Sequence, residues 1–190
     1  AHSNGLRQVG RFFDLPVEPV MKVICGRNAA ETRAAAEKFG WQESSTDWRA
    51  VVNRPDIDVV DISSPGDWHH PMAIAAAKAG KHIICEKPLA MNTRETAQIV
   101  KAVRATRKVF AVNYNVRFYP AVLQLHRLVE RGELGDVLHV NGSYMQDWLF
   151  KDTDYNWRLL ASEGGKLRAV GDIGTHWMDA VSFVLGAKPD

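Results

Sequence analysis

The sequence predicts an α/β protein built on a doubly wound parallel sheet. Short apolar runs at residues 20–25, 56–63, 82–85 and 108–113 alternate with helical patterns, the order that produces parallel strands joined by crossover helices. The run Ile83-Ile84-Cys85 carries nothing polar, as expected of a strand covered on both faces. It leads into Glu86-Lys87-Pro88, and Pro88 stops the ladder because it has no N–H to donate. Glu86 and Lys87 therefore stand at the carboxyl end of a strand. That is where open α/β sheets bind ligands, although a surface ion pair would give the same tripeptide.

Taken in order, residues 1–13 have Leu6, Val9 and Phe13 at helical spacing. The strand over residues 20–25 ends at Gly26-Arg27-Asn28. An alanine-dense helix follows over residues 29–39 and closes at Gly40. Thr46-Asp47 caps a short helix through Val52. The strand over residues 56–63 and a helix over residues 71–79 complete the unit leading to Ile83. Asn92-Thr93-Arg94-Glu95 reads as a capping box opening a helix to about residue 105, and residues 108–113 form another strand.

The texture changes near residue 118, so two domains are expected, 1–118 and 119–190. Pro120 opens a helix ending at Arg131-Gly132. Residues 136–147 alternate enough to predict a strand of a new sheet. Residues 151–168 read as a long loop, a length that is usually functional or disordered in a compact domain. Residues 171–186 form the last helix, with Asp172 expected as its N-cap.

The 190 residues are 46% hydrophobic and carry a net charge of +2, with basic and acidic residues interspersed, which gives no field for a nucleic acid. Cys25 and Cys85 lie in apolar runs and read as buried thiols of a reducing compartment. No apolar run reaches spanning length and no leader is visible, so a soluble cytoplasmic protein without membrane contacts is expected.

Asp172 and His176 lie four apart and share a helix face. A carboxylate there suits a histidine acting as general acid/base, and a cap beside a structurally satisfied histidine is the alternative. No third ligand has the spacing a metal needs, so no metal is expected. No G-x-G-x-x-G is present.

Several motifs combine. Asp58-Val59-Val60-Asp61-Ile62 runs into Ser64-Pro65, with His69 beyond. Ala79-Gly80-Lys81-His82 leads to Glu86-Lys87-Pro88. Asn113, Arg117-Phe118-Tyr119-Pro120, Gly132-Glu133-Leu134-Gly135 and Gly171-Asp172-Ile173-Gly174-Thr175-His176-Trp177-Met178-Asp179 follow. Together they resemble the GFO/IDH/MocA oxidoreductases: glucose–fructose oxidoreductase, inositol dehydrogenase and relatives. The resemblance covers nearly the whole chain.

It implies an incomplete Rossmann-type domain followed by the start of an α/β domain with an open sheet. It implies NAD or NADP, a sugar or polyol substrate, and a dimer or tetramer. Residues 1–10 resemble the family's first helix, entered after the glycine turn. The end, Leu185-Gly186-Ala187-Lys188-Pro189, falls where most of the second sheet is still to come, so an internal piece is expected.

The resemblance assigns catalysis to Lys87, Asp172 and His176. It assigns the cofactor to Ser64, Pro65, His69, Glu86, Lys87, Asn113, Trp157 and Arg158, and the end of the strand over residues 20–25, where such folds meet the adenosine ribose, adds Gly26 and Arg27. The substrate would meet Lys87, Arg117, Trp157, Arg158, Asp172 and His176. A cis Lys87–Pro88 bond is implied. Trp157 as a plain loop anchor is the alternative to a sugar-facing ring. Arg27, with no acidic residue beside it, gives a slight preference for NADP, although an arginine stacked on adenine suits NAD equally and a solvated charge neither. A nicotinamide-dependent hydride transfer to or from a sugar hydroxyl or carbonyl is the expected function. A non-catalytic binding protein of the same fold is the alternative.

Overall fold

The computed structural model describes residues 1–186. Ala187, Lys188 and Pro189 lie outside the described residues. The chain forms two compact units, Ala1–Val60 and a second that begins at Asp61.

In the first unit, helix α1 (His2–Gln8) runs into a 3₁₀ turn at Val9–Arg11. Strand β1 (Val23–Cys25) is followed by α2 (Ala29–Phe39), β2 (Glu43–Ser45) and α3 (Trp48–Val52). The strands pair in parallel, Val23 with Glu43 and Cys25 with Ser45. Strand β2 is too polar to declare itself in sequence; the pairing with β1 makes it a strand. Asn28 and Asp47 cap α2 and α3, each accepting two backbone N–H groups. Lys22, Glu43, Arg54 and Asp56 form an ion-pair cluster at the foot of the two strands. Cys25 is exposed, not buried as its apolar run suggested, because the end of β1 is uncovered in a sheet of two strands.

Strand β3 (Val59–Ile62), α4 (His69–Lys78), β4 (His82–Cys85), α5 (Thr93–Arg104) and β5 (Phe110–Val112) give a parallel sheet in the order β3-β4-β5. Ile83 pairs with Phe110 and Cys85 with Val112. Ala73, Ala76 and Ala77 of α4 are buried, and their small size lets the helix pack closely on β4 and α5. Ile99 of α5 and Cys85 complete this core. Gly80, at φ +69°, closes α4 in a Schellman motif, with Gly80 N–H on the Ala77 carbonyl and Lys81 N–H on that of Ala76.

Pro120 occupies the first turn of α6 (Pro120–Glu130), as expected. Short α7 (Ala161–Gly164) interrupts the long loop, and α8 (Thr175–Leu185) packs on α6. Two expectations fail here. Residues 136–147 form no strand: no segment among the described residues offers them a ladder, and Leu138 is 94% exposed. Asp172 is no N-cap, since it lies within a π-helical turn at Val170–Gly174 that precedes α8. The compact units divide at Val60. Residues after 118 pack on the part that precedes them, through α8 against the 3₁₀ turn Asn115–Phe118 and α7 against the turn Gly66–Trp68.

Candidate active site

The carboxyl edge of the β3-β4-β5 sheet builds the site. Glu86 N–H donates to the Ile62 carbonyl and Asn113 N–H to that of Cys85, which brings Glu86 and Asn113 to adjacent strand ends. Asn113 Nδ2 donates to Glu86 Oε1 at 2.7 Å, and Lys87 N–H donates to Glu86 Oε2 at 3.0 Å. The Lys87–Pro88 peptide is cis.

Lys87 reaches across 85 residues of sequence. Its Nζ donates to Asp172 Oδ1 at 2.5 Å and to the Asp172 carbonyl at 2.9 Å. Arg158 Nε lies 3.3 Å from the same Oδ1. One carboxylate thus faces two cations, which holds both side chains while leaving an excess of positive charge. The guanidinium of Arg158 stacks on Trp157 at 4.4 Å and approaches Trp148 at 5.5 Å. Asn156 fixes it from below, accepting from Arg158 N–H and Nη1.

These groups surround a cavity of about 300 Å³ lined by Lys87, Arg158, Asp172 and His176 with Gln146, Trp148, Asn156 and Ile173. His176 is buried, with Tyr114 and Tyr144 edge-on to its ring. Its Nδ1 is shielded from solvent and makes no hydrogen bond among the described residues. Burial, reinforced by the Lys87 charge, pulls its pKa below the ordinary histidine value. Both effects favour the neutral ring over the imidazolium. The carboxylate of Asp172 is committed to Lys87 and Arg158 instead of orienting His176.

Other expected residues are placed elsewhere. Arg117 is bound to Asp179 through both Nε and Nη2, lies over Phe183, and does not line this cavity. His69 is 1% exposed, and its two ring nitrogens lie 2.8 and 2.9 Å from the Pro88 and Ser64 carbonyls. Pro65 precedes the 3₁₀ turn Gly66–Trp68, and Ser64 Oγ contacts Met72 Sδ. Trp157 is absent from the lining, where Trp148 stands. In the first unit, Gly26 N–H donates to Ser45, and Arg27 is exposed at the start of the loop to α2. Sequence reasoning missed Gln146, Trp148, Asn156 and Tyr114. The polar and aromatic content of the long loop was a signal for Asn156; Gln146 and Trp148 lie before it, at the end of the expected strand.

Among the described residues, no helix is long and apolar enough to cross a membrane. Residues 6–114 match the model of an oxidoreductase family with an NAD-binding Rossmann fold, and residues 122–190 match the GFO/IDH/MocA C-terminal domain. Levoglucosan dehydrogenase of Pseudarthrobacter phenanthrenivorans is 41% identical over 188 residues, 98% of this chain and 48% of that protein. The crystal structure of an oxidoreductase domain protein from Kribbella flavida superimposes with a TM-score of 0.93 at 41% identity, covering 98% of this chain and 51% of that one. Levoglucosan dehydrogenase in complex with NADH and levoglucosan has the same TM-score and identity, covering 97% and 50%. The chain spans about half the length of these relatives. With the parallel sheet and both domain models in agreement, the chain belongs to the GFO/IDH/MocA family of oxidoreductases.

Proposed function

We propose that this protein catalyses nicotinamide-dependent oxidation or reduction at a hydroxyl or carbonyl carbon of a sugar or polyol. The observation that carries this function is the convergence of Lys87, Asp172, Arg158 and His176 on one cavity. A purely structural ion pair needs no histidine on the same cavity wall. The cavity residues fit a hydroxyl: neutral His176 takes the proton, and the Lys87 ammonium, fixed by Asp172, stabilises the oxygen as negative charge develops. Asp172 keeps that ammonium aimed, and Trp148 offers an apolar wall to the C–H face of a sugar ring. When bound, the nicotinamide supplies the hydride acceptor or donor. Ser64, Pro65, Glu86, Asn113, Trp157 and Arg158 are the residues proposed to hold that half of the cofactor. Gly26 and Arg27 are proposed to meet its adenosine ribose.

Between NAD and NADP, the relative crystallised with NADH supports NAD against the slight preference for NADP drawn from Arg27. Rates with both cofactors before and after Arg27→Ala test this. A wild-type preference for NADP that Arg27→Ala abolishes would reverse the assignment. Sugar as the substrate class rests on the name of the levoglucosan dehydrogenase relative. A homo-oligomer, a dimer or tetramer, is proposed from the family resemblance, and sedimentation velocity tests it. Two thiols free of disulfide bonding favour a reducing compartment such as the cytoplasm.

The deciding experiment follows nicotinamide absorbance with levoglucosan and a panel of aldoses and polyols. Turnover lost in both Lys87→Ala and His176→Asn is expected. Ligand binding without any turnover would favour the non-catalytic alternative.

A further inference from the structure

We propose that His69 is a positioning residue for Lys87, acting through the backbone of Pro88. His69 opens α4 and is fully enclosed. Its Nε2 lies 2.9 Å from the Ser64 carbonyl, just past β3, and its Nδ1 lies 2.8 Å from the Pro88 carbonyl, just past β4. Carbonyl oxygens only accept, so the ring is a donor to backbone; a neutral ring donates to one carbonyl and the imidazolium to both. A rigid five-membered ring between them sets the separation of the two strand ends.

The location of the second bond gives the role. Glu86 N–H makes a ladder bond to Ile62, and beyond it the chain leaves the sheet. Pro88 has no N–H. Lys87 is thus held on one side by its bond to Glu86 Oε2 and on the other by the His69 contact one residue on. The target is exacting, since Lys87 Nζ meets both the carboxylate and the carbonyl of Asp172. His69 does not itself line the cavity. It acts on geometry and not on the reacting atoms, and its catalytic consequence rests on the function proposed above.

The test combines a chemical probe with kinetics. A pulse of acetic anhydride followed by peptide mass spectrometry reads the reactivity of Lys87 relative to exposed Lys38. In the native protein Lys87 is slow, because its side chain is 11% exposed and ion-paired. In His69→Phe it is expected to react at least about fivefold faster, the scale of one lost hydrogen bond. Buried Cys85 should stay unreactive to a thiol reagent, which reports an intact fold. In His69→Gln, which keeps an amide donor, the rate should be intermediate. If His69→Phe does not fold, His69→Gln and His69→Asn are compared with wild type by the same reading. In the active enzyme kcat should fall at least about tenfold, as for a misplaced catalytic group. Unchanged Lys87 labelling in the folded variants overturns the proposal whether or not the protein oxidises a sugar. Faster labelling in a protein that oxidises no sugar supports the role of His69 and removes the proposed function instead.

Discussion

Asp172 is the hub of the site. Its carboxylate meets Lys87 and Arg158 at once, and its carbonyl meets Lys87 again. Lys87→Ala leaves that carboxylate with Arg158 alone and removes the charge proposed to face the substrate oxygen. We expect kcat to fall at least about 10²-fold, near 2.7 kcal/mol, with the fold retained by circular dichroism. A loss below about threefold would make Lys87 structural. His176 gives a separate signature. A base must be neutral, so activity should be lost as pH falls through its pKa. Because burial depresses that pKa, the acid limb should lie below the ordinary value of 6.5. His176→Asn should flatten the limb. An unchanged limb would move proton transfer to another group.

At the scale of elements, the turn from β1 to α2 has no spare room. A Cβ built on Gly26 would stand 2.4 Å from Thr32 Oγ1, which itself donates to the Asn28 carbonyl at 2.6 Å. Gly26→Ala should therefore cost about 1–3 kcal/mol in urea denaturation, as overpacking does. Adding Thr32→Ala should return part of that loss. Additive losses in the double variant would refute the clash. The π turn at Val170–Gly174 is the other decisive element. It carries Asp172 away from the cap position that the sequence suggested, and such turns often mark functional sites.

For the whole molecule, two buried groups set a pH window of stability. His176 has a lowered pKa in the folded state, so its contribution is present above 6.5 and is lost as pH falls below that value. Burial pushes the Cys85 thiol up to about 12, from 9.0, so its contribution is present below 9.0 and is lost as pH rises beyond it. Urea midpoints should be flat between these limits and fall on either side. Cys85→Ala should remove its share of the alkaline decline, and an identical alkaline slope in that variant would show that the thiol plays no part.

What the sequence determined by itself was everything that local chemistry enforces. Glycine and proline set the ends of α2, α4 and α6, apolar runs located β3, β4 and β5, and the Glu86-Lys87-Pro88 and Asp172-to-His176 motifs named the central side chains. Tertiary structure decided what depends on neighbours. Polar Glu43–Ser45 became a strand because β1 lies beside it, whereas the better alternation at residues 136–147 found no neighbour among the described residues. Arg117 was drawn to Asp179, and His69 was turned inward by two carbonyls that no spacing rule reveals. Asp172 exchanged its expected partner His176 for Lys87, because a helix-periodic pattern cannot foresee a π turn or a cation arriving from 85 residues away.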